Sequence, residues 1–360
     1  TKGLQSSKAK EHLSQSFIKF DSKFVGNSAT TLADILWIVN NIKADEVEGK
    51  LTRMAYQYQA THDLLKVINA GQSNQAATAR IEYPYAGIMH NKFVVFEKND
   101  RTKSVWSGTA NVARTCMGGE QNANMSIYVK NTAIAQAFEE EFNEMYGPGK
   151  GDMPSTLVTG AYHSKKRPNT KRYFTFDDGT QVRVHFSPTD DAEHRVILPM
   201  LYSARKGDIL RISMFGSGGY ELVRALQAAA ARGVDIRIAV DALTGAGAAS
   251  WIKNTNGNLT EVNPFRASQQ DKGVIEVRKN SWKGLNHYKA ATLTRKRGEG
   301  RYHPEVIVVG SQNWSISGND LNDENVITIS NKTKALKIMI DYNAEFDSRI
   351  WPASATVLKQ

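Results

Sequence analysis

The sequence holds a single cysteine, Cys116, in 360 residues. One thiol excludes an intrachain disulfide and any metal site built from several cysteines, and its plainest reading is a small buried or half-buried side chain. No run of about 18 or more uninterrupted apolar residues occurs, so no segment reads as a transmembrane helix and a membrane is at most a surface the chain visits. Metal-ligand spacing such as H-E-x-x-H is also missing, so no metal is expected, and His12, His62, His163, His185, His194 and His303 receive no role. "GSGG" at 216–219 lacks the third glycine of a dinucleotide fingerprint, because Glu221 stands there. It reads as a tight turn, and no cofactor is expected.

Thr1 is not an initiator Met, and no apolar signal-peptide core precedes Leu13, which leaves the compartment unassigned and a secreted or periplasmic protein, after loss of a signal peptide, compatible with the sequence. A composition of 41% hydrophobic and 23% charged residues reads as soluble and globular, with length enough for two domains. Lys and Arg number 46 against 36 acids, a net charge of +10 that favours a polyanionic partner: nucleic acid, or an anionic lipid surface.

The chain is written twice. "MHNKFVVFE" around His90 and "NHYKA" around His287 each place a histidine two residues before a lysine, and the segments that follow match in order. The offset is 197 between the histidines, 202 from Asn111 to Asn313, 201 from Asn124 to Asn325 and 204 from Phe142 to Phe346. A repeat that long means two similar domains rather than a solenoid. We place the first half at 1–160, a basic surface linker at 161–180 and the second half at 181–360. "MFGSGGYELVRALQAAAARGVDIRIAVD" reads as strand end, turn, amphipathic helix closed by Gly233, then a strand; "LTRMAYQYQATHDLLKVINAG" repeats the strand and helix. Short β-branched runs such as "KFVVFE", "NMSIYV", "VIVVG" and "NVITI" read as buried strands, which predicts a mixed α/β fold with helices flanking each sheet.

Side chains at i and i+2 of a strand share a face, so His90 sides with Lys92 and His287 with Lys289. Asn111 and Asn313 each lie on the turn ending a following strand. If the halves pack about a pseudo-two-fold, two His, two Lys and two Asn converge on one cleft. That set suits a phosphodiester: lysine charge and asparagine amides hold phosphate oxygens, one imidazole attacks phosphorus, and the other passes a proton to the leaving oxygen.

"HNK…GTAN" and "HYK…GSQNWS…NDEN" resemble the duplicated H-x-K and G-S-x-N motifs of the phospholipase D superfamily, over roughly residues 20 to 350. The resemblance implies two phospholipase D-like α/β/α sandwich domains related by pseudo-two-fold symmetry, with one active site between them. It also implies metal-independent, two-step transfer through a covalent phosphohistidine. Carried over, His90 and His287 are nucleophile and acid/base, Lys92, Lys289, Asn111 and Asn313 bind phosphate, and Thr109 and Ser311 are the small hydroxyls beside each Asn. Glu324 matches the acid that orients a catalytic histidine in nuclease-like members. Its first-half counterpart falls on Asn122 or Ala123, with Glu120 nearby as a substitute. The acid five residues after each lysine is Glu97 in the first half but Thr294 in the second.

Around the motifs, Trp314, Trp282, Tyr288, Tyr83 and Tyr85 are candidates to stack bases or touch acyl chains, and Arg295 and Arg297 are candidates for a neighbouring phosphate. The first half lacks the long insertion that the second carries between Asp241 and His287, which includes 242–265 and could cap the cleft. "GSQNWS" and "NDENVITI" look like the nuclease-type branch, so nucleic acid is the expected substrate and a phospholipid surface the alternative. Both motifs lie in one chain, which predicts a monomer.

Overall fold

The computed structural model describes residues 87–97, 101–111, 115–116, 122–146, 162–167, 172–241 and 273–359, and the backbone of two further strands, β1 (Phe17–Phe20) and β2 (Ala77–Arg80). The 51–71 segment read as strand and helix, Tyr83, Tyr85, Glu120 and the 242–265 part of the insertion lie outside those residues.

In the first half, β3 (Phe93–Glu97), β4 (Thr102–Gly108) and β5 (Ser126–Val129) form an antiparallel sheet, followed by helix α1 (Thr132–Tyr146). The second half opens with β6 (Tyr173–Thr175) and β7 (Gln181–Ser187), then α2 (Leu198–Ser203), β8 (Ile209–Met214), the short β9 (Ser217–Gly218) and α3 (Tyr220–Ala231). Next come β10 (Asp235–Val240), β11 (Ile275–Asn280), β12 (Lys289–Gly298), β13 (Arg301–Gly310), β14 (Trp314–Ser315) and α4 (Ile316–Asp320). The chain closes with β15 (Glu324–Ser330), α5 (Lys337–Glu345) and β16 (Ser354–Lys359). Nine strands make one mixed sheet in the order β16-β11-β10-β8-β12-β13-β15-β7-β6, parallel only where β8, β10 and β11 meet.

Pattern explains the elements. In α3, Leu222, Val223, Ala225, Leu226 and Ala229 form one buried stripe against the sheet. Gly233 stops the helix with φ of 90°, and Val234 N–H reaches back to the Ala229 carbonyl at 3.2 Å, a left-handed cap that glycine adopts at least cost. Strand residues of β8, β12 and β13 that face this stripe, among them Leu210, Ile212, Leu293 and Val308, complete one core.

The second core joins the halves. Val105, Ile127 and Phe138 of the first half pack with Val184, Phe186, Ile307, Ile327 and Tyr342 of the second. Phe138 stands edge-on to both Phe93 and Phe186, with centroids 5.1 Å apart in each case. The 162–167 stretch, expected as exposed linker, is instead partly interior, with Tyr162, His163 and Lys166 buried. Lys166 Nζ pairs with Glu141 of α1 and with Asp323 at 2.9 Å, and donates to the Ser187 carbonyl. Asp323 also takes the His163 backbone N–H at 2.8 Å and faces its Nδ1 at 2.9 Å. Burial alone would pull the Lys166 ammonium down, but Glu141 and Asp323 outweigh it and hold it well above the ordinary lysine value. β6, within the span read as linker, is an edge strand of the nine-stranded sheet.

Candidate active site

Each histidine-bearing segment is stitched to the opposite half. His90 N–H donates to the Asp323 carbonyl (2.8 Å) and Asp323 N–H to that of Ile88 (2.9 Å). At the mirror position His287 N–H donates to Ala123 (2.9 Å) and Ala123 N–H to Leu285 (2.8 Å). Asn322 Oδ1 accepts from Ile88 N–H at 3.2 Å, as Asn122 Oδ1 does from Leu285 N–H at 3.0 Å. The same hydrogen bonds made twice, with Asn122 matched to Asn322 and Ala123 to Asp323, give the pseudo-two-fold that sequence repetition predicted. They place His90 and His287 at the ends of adjoining segments, just ahead of β3 and β12.

The side chains follow the same symmetry, with a carboxylate on one side and an amide on the other. Both carboxylate oxygens of Glu324 lie 2.8 Å from His90 Nδ1, and Ser311 Oγ–H donates to Oε2 at 2.6 Å. Across the axis, Asn124 Oδ1 lies 3.0 Å from His287 Nδ1, and Thr109 Oγ–H donates to it at 3.2 Å. Ser311 Oγ also accepts Asn325 N–H at 2.9 Å, and Thr109 Oγ1 accepts Met125 N–H at 2.9 Å. The register therefore pairs Glu324 with Asn124 and Asn325 with Met125. This corrects the pairing of Asn124 with Asn325 and the search for a Glu324 counterpart at 122 or 123; Glu120 lies outside the described residues.

With Nδ1 of each ring engaged, Nε2 is the atom left for substrate. Lys92 Nζ donates to the His90 carbonyl at 2.7 Å and Lys289 Nζ to that of His287 at 3.2 Å, so each ammonium folds back beside its own histidine. Phe215, half-buried at the end of β8, sets its ring 5.2 Å from the His287 ring at 52°, and Lys289 Nζ lies 5.1 Å from the same ring centroid.

Burial dominates the electrostatics. It pushes His90 well below the usual histidine value, with Lys92 and Lys289 adding to the effect, and it does the same to His287 with help from Lys289, Lys92 and His90. That each histidine feels both lysines reflects two imidazoles and two lysine side chains gathered in one place. Lys289 is lowered well below the ordinary lysine value by burial and then by Lys92. Burial raises Glu324 to about 8 against the pull of Lys92, Ser311, Asn322 and Lys289. Three donors converge on its two oxygens, from His90, Ser311 and Asn322, a geometry that fits the ionised carboxylate.

Glycine is needed before each hydroxyl. A Cβ on Gly108 would stand 2.3 Å from the Met125 carbonyl oxygen, and one on Gly310 would stand 2.0 Å from that of Asn325. The close approach of the two strands is what brings Thr109 to Asn124 and Ser311 to Glu324.

Other expected residues part company. Asn111 and Asn313 are half-buried at the ends of their strands, and Asn313 Oδ1 accepts no hydrogen bond among the described residues. Thr109 and Ser311, the small hydroxyls beside each Asn and candidates to bind substrate, have their hydroxyls turned to Asn124 and Glu324. Trp314 is 2% exposed inside the α3 core and cannot stack on a substrate; Tyr288 is buried too. Arg295 and Arg297 lie well along β12, about 20 Å from Lys289 for Arg295 at the usual strand rise. There they are taken up by Asp208, Glu305 and Ser203. Asn124 enters the sequence reading only as a repeat marker, and Asn322 and Phe215 do not enter it as site residues; an ungapped match of "NAN" at 122–124 to "NDE" at 322–324 finds the first two. Among the described residues no group of three His, Cys, Asp or Glu side chains could hold a metal ion, and no helix is long and apolar enough to cross a membrane.

A family model described as "Cardiolipin synthase, PLD-like domain" matches residues 34–146 and 197–351, well over half of the chain. No curated protein matches. Among solved structures, phosphatidylserine synthase from Haemophilus influenzae Rd KW20 aligns over 97% of this chain and 91% of its own, at 10% identity and a TM-score of 0.51, a likeness of fold. Nuc, a phospholipase D family member from Salmonella typhimurium, aligns over 49% of this chain and 97% of its own, at 21% identity and a TM-score of 0.36. NucT from Helicobacter pylori aligns over 49% and 99%, at 13% identity and a TM-score of 0.35.

Proposed function

The chain belongs to the PLD-like family, whose members act on phosphodiesters, and from that premise we propose that it is a phosphodiesterase working through a phosphohistidine on His90, with nucleic acid as substrate and little sequence preference. The observation that carries this reading is the pair of imidazoles, each held at Nδ1 by a side chain of the opposite half, beside two lysines in one buried cluster.

In the first step His90 Nε2 forms a bond to phosphorus while the bond to the leaving oxygen breaks, and His287 Nε2–H gives its proton to that oxygen. Glu324 accepts the Nδ1–H of His90 and offsets the positive charge the ring acquires, which favours His90 over His287 as nucleophile. Lys92, Lys289, Asn111 and Asn313 hold the phosphate oxygens. In the second step His287 takes a proton from water, whose oxygen attacks phosphorus and releases His90. All proton transfers run between protein, substrate and water.

Net charge of +10 supports nucleic acid. A second reading, hydrolysis or transfer of phosphatidyl groups, is supported by the description of the matching family model and by the fold likeness to a phosphatidylserine synthase. Labelled DNA, labelled RNA and phosphatidylcholine vesicles, each with excess EDTA, separate them. Cleavage of nucleic acid that EDTA spares and that His90→Ala and His287→Ala abolish is the expected result. Turnover confined to vesicles selects the second reading, and complete loss in EDTA overturns both.

A further inference from the structure

The geometry points to Phe215 as a positioning residue for proton delivery: its ring braces the His287 imidazole and covers the Lys289 side-chain nitrogen, on the leaving-group side of the site. This rests on the reading of His287 as the acid. Three observations meet in the residue. Its ring contacts His287 at 5.2 Å between centroids and Lys289 Nζ at 5.1 Å, so one side chain touches both functional groups of the second half. Its backbone N–H donates to the Tyr288 carbonyl at 2.8 Å, between His287 and Lys289 in sequence, which fixes the ring's base to the strand it serves. The next residue, Gly216, faces Asn313, whose Cγ is 3.6 Å from where a Cβ would be, so the turn runs straight on from the histidine to a phosphate-binding amide.

The two histidines differ in what holds Nδ1: the Glu324 carboxylate for His90 and the Asn124 amide for His287, to which Phe215 adds an aromatic face. An imidazole without a carboxylate partner depends more on packing for its orientation. Among the described residues, the charged and polar groups facing His287 are Lys289 two residues on, Lys92 and His90 from the other half, Asn124, and the backbone of Thr109. The ring keeps water from this group and from Lys289.

A brace for the acid matters in proportion to how much the leaving oxygen needs a proton. A dinucleoside phosphate expels a sugar alkoxide and needs it; bis(4-nitrophenyl) phosphate expels a stable phenolate and does not. Phe215→Ala is expected to lower kcat/KM on the dinucleoside phosphate by about tenfold or more, and on the nitrophenyl diester by less than about twofold, with Phe215→Tyr restoring the former. Equal losses on both substrates, or none on either, overturn the role. His90→Ala should abolish both reactions; if the wild-type chain turns over neither, the phosphodiesterase reading fails instead. The brace is then judged by NMR titration of the His287 ring. Its midpoint is expected to move up in Phe215→Ala, or in Phe215→Leu should the alanine variant not fold, and an unchanged midpoint overturns the role.

Discussion

Glu324 meets His90 Nδ1 at 2.8 Å through a carboxylate, and at the symmetry-related position Asn124 meets His287 Nδ1 at 3.0 Å through an amide. A site built by duplication has thus become directional. A carboxylate stabilises an imidazolium or a phosphorylated ring; an amide oxygen fixes the tautomer with little charge of its own. Glu324→Gln is expected to cut kcat on the order of 10²- to 10⁴-fold, the scale on which a carboxylate orienting a catalytic histidine acts. With bis(4-nitrophenyl) phosphate, whose leaving group needs no proton, reactions quenched in alkaline denaturant, where a phosphohistidine survives, should trap the covalent adduct in His287→Ala and never in His90→Ala. An adduct in His90→Ala would reverse the assignment.

The same difference sets the pH profile. Burial and the lysines hold both imidazoles well below the usual histidine value, so in the free enzyme the window with His90 neutral and His287 protonated lies on the acid side of about pH 6.5. Asn124→Asp places a carboxylate beside His287 and favours its protonated form. The falling alkaline limb of kcat/KM should then move to higher pH. A limb that stays put in this variant would show that His287 is not the group that limits it.

How much of this was legible in sequence turns on repetition. His90, Lys92, His287 and Lys289 could be found because each spacing occurs twice, and Glu324 because the second repeat keeps its acid. Asn124 was missed because an amide at that position breaks the chemical pattern, and because the asparagine at 325 drew the alignment one residue out of register. Arg295 and Arg297 were misjudged because nearness in sequence to a motif says nothing of distance along a ten-residue strand. Trp314 looked accessible beside Asn313, yet the strand's alternation turns it into the core. Lys166 and His163 looked like linker charges because their partners lie at Glu141 and Asp323, beyond any local pattern.

That buried cluster carries its own test. Lys166 neutralises Glu141 and Asp323 at once, and burial pushes Glu141 up to about 7 even with the lysine present. Lys166→Met leaves two carboxylates without their cation, which should cost about 3–5 kcal/mol in urea unfolding at neutral pH. Asp323 also offers its carbonyl to His90 N–H, so activity should fall with stability. A urea midpoint within experimental error of wild type would rule out the cluster as a clamp between the halves.

His185 sets acid stability. Its ring is wholly buried, neither nitrogen has a hydrogen-bond partner among the described residues, and burial, then Arg172, Arg183 and Arg195, pull it down to about 3. The unfolded chain takes up a proton near pH 6.5 that the folded chain refuses until about pH 3. Stability from this group is therefore present above pH 6.5 and lost as pH falls, by about 1.4 kcal/mol per pH unit at most. His185→Leu should flatten that part of the stability curve between pH 6 and about 4. Equal slopes in variant and wild type would show that the ring titrates normally in the fold.

Gly310 links fold to chemistry most directly. Its missing side chain lets β13 approach β15 so closely that any Cβ would press on the Asn325 carbonyl at 2.0 Å. The next residue is Ser311, whose Oγ both donates to Glu324 and accepts from Asn325 N–H. Gly310→Ala must part the strands there, and the hydroxyl moves with the backbone, so Glu324 loses a donor and His90 its alignment. The expected outcome is a loss of kcat on the order of tenfold or more together with about 1–3 kcal/mol of stability. Gly179 is the control: it has φ of 78° but nothing within 4 Å of a Cβ, so Gly179→Ala strains only a hairpin turn and should lower the melting temperature while leaving kcat unchanged. Parallel losses of kcat in both variants would mean that general destabilisation, and not the Ser311 contact, governs the site.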